Sequence, residues 1–123
     1  MKNKTILIIL ISIVALVGIV FALMKLSEAE EPKIDLSGRG IIYYYGKECP
    51  HCKDLDAFIK EHGIGGFKKK EVWHNKANQA ELLERAKECD IPEEELGVPF
   101  VYNNGECLVG TDGIEFFEKE AGV

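Results

Sequence analysis

Two cysteines three residues apart, Cys49 and Cys52, enclose Pro50 and His51 in a chain of 123 residues. Thiols at that spacing either exchange disulfides, sit in a static bridge, or supply half of a zinc site. Zinc needs four ligands, and the remaining Cys89, Cys107, His62 and His74 are scattered with no second C-x-x-C, so no metal is expected. Position favours exchange. Ile41-Ile42-Tyr43-Tyr44-Tyr45 is a β-branched and aromatic run that reads as a strand buried on both faces. Gly46-Lys47-Glu48 turns the chain, and Cys52, Leu55 and Ile59 then recur on one helical face that closes at His62-Gly63. The pair therefore stands where a strand passes into a helix. The unpaired N–H groups and macrodipole of a helix's first turn stabilise negative charge on the Cys49 sulfur, and the thiolate is the reactive form. Protonated His51 adds positive charge beside it, whereas Glu48 opposes it. Pro50 costs nothing in a first turn, where its missing N–H has no partner to lose.

The elements around this junction follow from the same kind of reading. Phe67 to Trp73 predicts a second strand, with Lys68, Lys69 and Lys70 as charges guarding an exposed sheet edge. A helix from an Asn75 N-cap to Asp90 carries Leu82, Ala86 and Cys89 on its apolar stripe. Ile91 to Gly97 is an acidic loop. Pro99 to Tyr102 and Cys107 to Val109 flank Asn103-Asn104-Gly105-Glu106, a hairpin signal because Asn-Gly tolerates positive φ. A last helix from an Asp112 N-cap turns Ile114, Phe117 and Ala121 inward. The order is β-α-β-α-β-β-α, an α/β arrangement in which the first two strands pair in parallel across a helical crossover and the last two are antiparallel.

Ahead of this domain, Thr5 to Met24 is apolar apart from Thr5, Ser12 and Gly18. Twenty helical residues span about 30 Å, the thickness of a bilayer's hydrocarbon core. Residues 1–25 thus read as a transmembrane anchor, 26–38 as a linker containing Pro32 and Ser37-Gly38, and 39–123 as the folded domain. A cleaved signal peptide is the competing reading, with Met1-Lys2-Asn3-Lys4 as its basic start and Ser27-Glu28-Ala29 as its cleavage region, although such apolar cores run only about 7–15 residues. Lys2 and Lys4 precede the segment, while Lys25, Glu28, Glu30 and Glu31 follow it. The positive-inside rule then puts the N-terminus in the cytoplasm and the domain outside, where disulfides persist. Beyond Ser27 the chain carries 12 basic and 21 acidic residues, a formal charge of −9. That balance excludes nucleic acid as a partner.

With strand Ile41 to Tyr45, Cys49-Pro50-His51-Cys52 opening a helix, and Gly97-Val98-Pro99 before the third strand, residues 39–123 resemble the thioredoxin superfamily in its minimal, glutaredoxin-sized form. The resemblance implies a four-stranded mixed sheet with helices on both faces. It also implies a cis proline at Pro99, with Val98 offering its backbone to an extended substrate segment, an exposed nucleophile at Cys49 and a buried resolving thiol at Cys52. Pro50-His51 matches the oxidase DsbA more closely than the Gly-Pro of thioredoxin or the Pro-Tyr of glutaredoxin. The chain departs from these relatives in having no Trp before Cys49, no acidic residue in the first strand and no inserted helical domain. Gly110-Thr111-Asp112 is similar to the glutathione-binding turn of glutaredoxins, but simple capping accounts for it.

Cys89 and Cys107 each read as a small buried hydrophobe or, in an oxidising compartment, as a candidate second disulfide. His62 is placed as a helix cap, His74 in a loop, and Trp73 and Phe116-Phe117 as core or groove lining. The function implied is dithiol–disulfide exchange with protein thiols outside the cytoplasm, through Cys49 and Cys52, aided by His51 and Pro50, with no bound cofactor and an unidentified redox partner. The rivals are a reductase for cytochrome maturation and a non-catalytic module that docks a membrane or exported partner.

Overall fold

The computed structural model describes residues 1–26 and 32–123. Ser27-Glu28-Ala29, Glu30 and Glu31 lie outside the described residues. The chain divides into an N-terminal helix and a compact domain. The helix, α1 (Lys2–Leu26), reaches a mean hydropathy of 3.3 over its most apolar 18 residues. Its 25 residues make it about 38 Å long at 1.5 Å per residue. Its apolar side chains are exposed around the whole circumference, which excludes a core helix. Among the described residues it is the one helix long and apolar enough to cross a membrane, a test that a signal sequence also passes.

The domain is built on β2 (Ile41–Tyr45), which pairs in parallel with β4 (Lys68–Glu71) and antiparallel with β5 (Phe100–Asn103); β6 (Glu106–Val109) closes the sheet beyond β5. The strand order is β4-β2-β5-β6. Because strand side chains alternate between faces, β2 feeds two cores. Ile41 and Tyr43 join Leu55, Ile59, Val101 and Phe117 beneath α2 (Pro50–His62) and α4 (Thr111–Ala121). Ile42 and Tyr44 join Leu82, Ala86, Val72 and Phe100 beneath α3 (Lys76–Glu88). Helices thus cover both faces of a mixed sheet, and the topology is that of a thioredoxin-like fold. The hairpin forms at Asn104 and Gly105, both at positive φ.

Three expectations need correction. The residues just before Arg39 are not all tether: β1 (Ile34–Asp35) pairs in parallel with β3 (Ile64–Gly65), the Ile34 N–H donates to the Gly63 carbonyl at 3.0 Å, and Leu36 is buried in the first core. Leu36 can do this because α2 ends at Gly63, whose left-handed φ of 63° sends the chain back alongside it. Asp112 does not cap α4. Gly110 is the N-cap, at φ 60°, and its N–H donates to the Pro99 carbonyl at 2.7 Å, so Asp112 falls within the first turn. There its charge still favours the helix dipole. The acidic loop contains a short 3₁₀ turn at Glu93–Glu95.

β4 is an edge strand, as its lysines suggested, but two of them are also engaged inward. Lys69 lies 2.7 Å from Asp56 and over the Tyr45 ring, while Lys70 pairs with Glu81, which also accepts the Tyr44 hydroxyl at 2.8 Å. The Lys70 ammonium first, with the Tyr44 hydroxyl adding to it, holds the Glu81 carboxyl below the ordinary glutamate value of 4.5. Cys89, at the C-cap of α3, is bonded to Cys107 on β6 and ties that helix to the hairpin across 18 residues of sequence.

Two measurements check these ties. A carboxylate whose folded pKa is depressed contributes stability that is fully present above its unfolded value and is lost as pH falls through the lower folded one. Glu81→Gln should therefore cost about 1 kcal/mol at neutral pH and progressively less below pH 4.5, as read from urea midpoints; a pH-independent deficit would remove Glu81 from this role. Closing a loop of this length restricts the unfolded chain by about 3 kcal/mol. A Cys89→Ser, Cys107→Ser double variant should lose a comparable amount in equilibrium unfolding, and an unchanged midpoint would show the bridge to be idle.

Candidate functional site

The site forms where β2 ends. The Cys49 N–H donates to the Gly46 carbonyl at 3.1 Å, which closes the turn and sets Cys49 as the N-cap of α2, with Pro50 in the first turn. A proline there loses no hydrogen bond and its fixed φ suits the helix. The Cys49 sulfur accepts the Cys52 N–H at 3.2 Å, so one of the helix's unpaired amides points at the first thiol. Both cysteines are unbridged. Cys52 lies one turn deeper and is fully buried. Burial, then the adjoining Cys49 thiol, push the Cys52 thiol up to about 12, so near neutral pH it is held as the protonated form; the Gly46 amide and the Tyr43 hydroxyl pull the other way.

Across from Cys49 runs the segment before β5. Val98–Pro99 is a cis peptide, and the Cys49 Sγ lies 3.8 Å from the Val98 carbonyl oxygen. Pro99 is fully buried, and its carbonyl is held by Gly110. The structure thus brings Cys49, Cys52, Pro50, Val98 and Pro99 together. It does not leave Cys49 exposed as expected. Its relative exposure is 3%, because the Val98 carbonyl and the Gly46 turn close over it. The neighbours Glu48, Pro50 and His51 are exposed, so the sulfur lies just beneath the surface. His51 makes no hydrogen bond or ion pair among the described residues. Cys89 and Cys107 form their own bridge elsewhere.

Several residues at the site have no signal in the sequence. His74, placed in a loop as expected, reaches back 26 positions so that its Nε2 meets the Glu48 carboxylate at 2.8 Å. This contact is the leading cause holding the Glu48 carboxyl below the usual range. The charge expected to oppose a Cys49 thiolate is therefore shared with an imidazole. The Glu71 carboxylate accepts the backbone N–H groups of Lys47, Trp73 and His74. It fastens the turn before Cys49 to the loop after β4. Trp73 is half exposed and its ring lies against Gly46, so close that a Cβ there would fall 2.3 Å from the ring. Beside it a cleft of about 150 Å³ opens among Val72, Leu82, Leu96 and Val98. The His62 ring meets the Phe58 carbonyl at 3.0 Å in the last turn of α2, as a cap should.

No protein-family model matches this chain, and no curated protein matches it. Among solved structures it is similar to a thioredoxin-like protein, at 22% identity and a TM-score of 0.49, over 65% of this chain and 97% of that one. It is also similar to wheat glutaredoxin, at 19% identity and a TM-score of 0.48, over 68% of this chain and 74% of that one.

Trp73 is the single tryptophan of the chain, so its emission reports this site alone. Gly46→Ala should push the ring off the turn and shift the emission maximum while far-ultraviolet circular dichroism stays unchanged. An identical emission spectrum would place the ring elsewhere.

Proposed function

We propose that this chain is a membrane-tethered thiol–disulfide oxidoreductase that exchanges disulfides with protein thiols outside the cytoplasm. The observation that carries this reading is the stacking of two unbridged thiols in one helical turn: Cys49 at the N-cap, receiving an amide, and Cys52 buried beneath it. With Cys52 held protonated, Cys49 is the sulfur that attacks or receives, and a mixed disulfide forms on it. Cys52 then attacks Cys49, expels the partner's thiolate and leaves a Cys49–Cys52 disulfide, two electrons having passed to the partner. Run backwards, the same steps oxidise the partner. The Val98 backbone beside the cis proline is the natural edge for an extended substrate segment. His51, exposed in the first turn, lends positive charge when protonated. No bound cofactor is required.

The tether and the side of the membrane rest on α1, on Lys2 and Lys4 in its first turn, and on the Cys89–Cys107 bridge, which an oxidising compartment favours. The near-complete burial of Cys49 favours a second reading, a thioredoxin-like docking module whose cysteines do not turn over. Reduction potential separates these. A Cys49/Cys52 value near −270 mV marks a reductase of the kind that serves exported thiol proteins or cytochrome maturation, one near −120 mV an oxidase, and one below about −300 mV an inert bridge.

Replacing the resolving thiol tests the mechanism directly. Cys52→Ser should accumulate covalent mixed disulfides that reductant releases and should lose at least tenfold in insulin reduction, whereas Cys49→Ser should trap nothing. Failure of Cys52→Ser to trap any partner, with its redox activity intact, would overturn the assignment.

A further inference from the structure

We propose that Tyr43 is a catalytic residue of the resolving step: its buried hydroxyl is the hydrogen-bond donor that the Cys52 sulfur uses when it gives up its proton, and the Asp56–Lys69 pair connects that hydroxyl to the surface. This inference rests on the exchange reading above and deepens it.

The need arises from burial. Cys52 must become a thiolate to attack, yet among the described residues no acidic or basic side chain is buried, so its charge has no buried counter-ion. Two polar groups beside Cys52 favour the charged form of its sulfur, the Gly46 amide and the Tyr43 hydroxyl. The amide is fixed by the backbone. Tyr43 is fully buried on the face of β2 that meets α2, and its hydroxyl donates to the Cys52 carbonyl at 3.3 Å. A phenolic O–H turns about its C–O bond, so it can move from that oxygen to the sulfur without moving the ring. Burial, reinforced by the neighbouring sulfur, raises the pKa of Tyr43, so it keeps its proton and remains a donor. Tyr44 cannot substitute, because it points to the opposite face and bonds Glu81.

Outward from Tyr43 lies Asp56, one turn beyond Cys52 on α2, partly exposed, with a charge that acts on the Tyr43 hydroxyl. Lys69 on β4 stands 2.7 Å from Asp56 and 5.7 Å above the centre of the Tyr43 ring. In the resolving step the Cys52 proton leaves toward solvent along this side and the Cys52 sulfur bonds to the Cys49 sulfur. The bond from Cys49 to the partner breaks, and the partner's sulfur departs with the electron pair and takes a proton from solvent. The Tyr43 proton is not consumed. Its hydrogen bond strengthens as charge develops on Cys52, which is how a donor lowers a barrier rather than merely tightening a ground state.

An aromatic disulfide such as dithiobis(nitrobenzoate) separates the two thiols, since attack by Cys49 releases one coloured thiolate and resolution by Cys52 releases a second. In the full chain in detergent, Tyr43→Phe should leave the first release unchanged and slow the second about tenfold or more, the factor expected for losing one hydrogen bond to a charged sulfur. A second release at the wild-type rate, or equal slowing of both, would overturn the proposal. Should Tyr43→Phe fail to fold, Asp56→Asn gives the reading from a partly exposed position, where an unchanged second release overturns it. A wild-type chain that never makes the second release would instead defeat the exchange reading itself.

Discussion

Everything at this site depends on packing α2 against β2 so that its first turn comes to rest over a fully apolar core. The helix enters through a turn closed by Cys49 and Gly46, and Leu55 and Ile59 anchor it beside Tyr43. One turn of helix then separates a sulfur just below the surface from one with no access to water. That difference in depth, and not the identity of the two side chains, makes the thiols inequivalent. Desolvation penalises charge on Cys52, while Cys49 receives a helix amide.

The remaining elements keep this arrangement from relaxing. β5 brings Val98 and Pro99 up to the first thiol, and Gly110 holds Pro99 there because a glycine at positive φ lets the chain enter α4 directly from the sheet. On the opposite face, α3 is fastened at its middle through Tyr44, Glu81 and Lys70 and at its end through the disulfide. Neither fastening touches the redox pair, so the scaffold and the chemistry are separately constrained.

Much of this was legible in the residues. The five-residue run at Ile41 and the helical recurrence of Cys52, Leu55 and Ile59 are periodic signals strong enough to place the junction, and Asn104-Gly105 announces its own backbone conformation. Two-residue strands such as β1 and β3 carry no period, so Leu36 was read as tether although it is core. The N-cap of α4 lies two residues before Asp112: Asp112 is a good cap residue, but the positive φ of Gly110 decides where the helix begins. The cover over Cys49 was illegible for a different reason. It is made by Val98, 49 positions away, and sequence distance says nothing of which carbonyl will face a sulfur.

The Glu71 carboxylate has a mechanical meaning. By holding the amides of Lys47, Trp73 and His74 together, it splices the two segments that leave the same end of a parallel strand pair into one panel. Displacing the indole would therefore also shift the turn that presents Cys49, so the wall of the neighbouring cleft and the posture of the sulfur are joined through a single side chain.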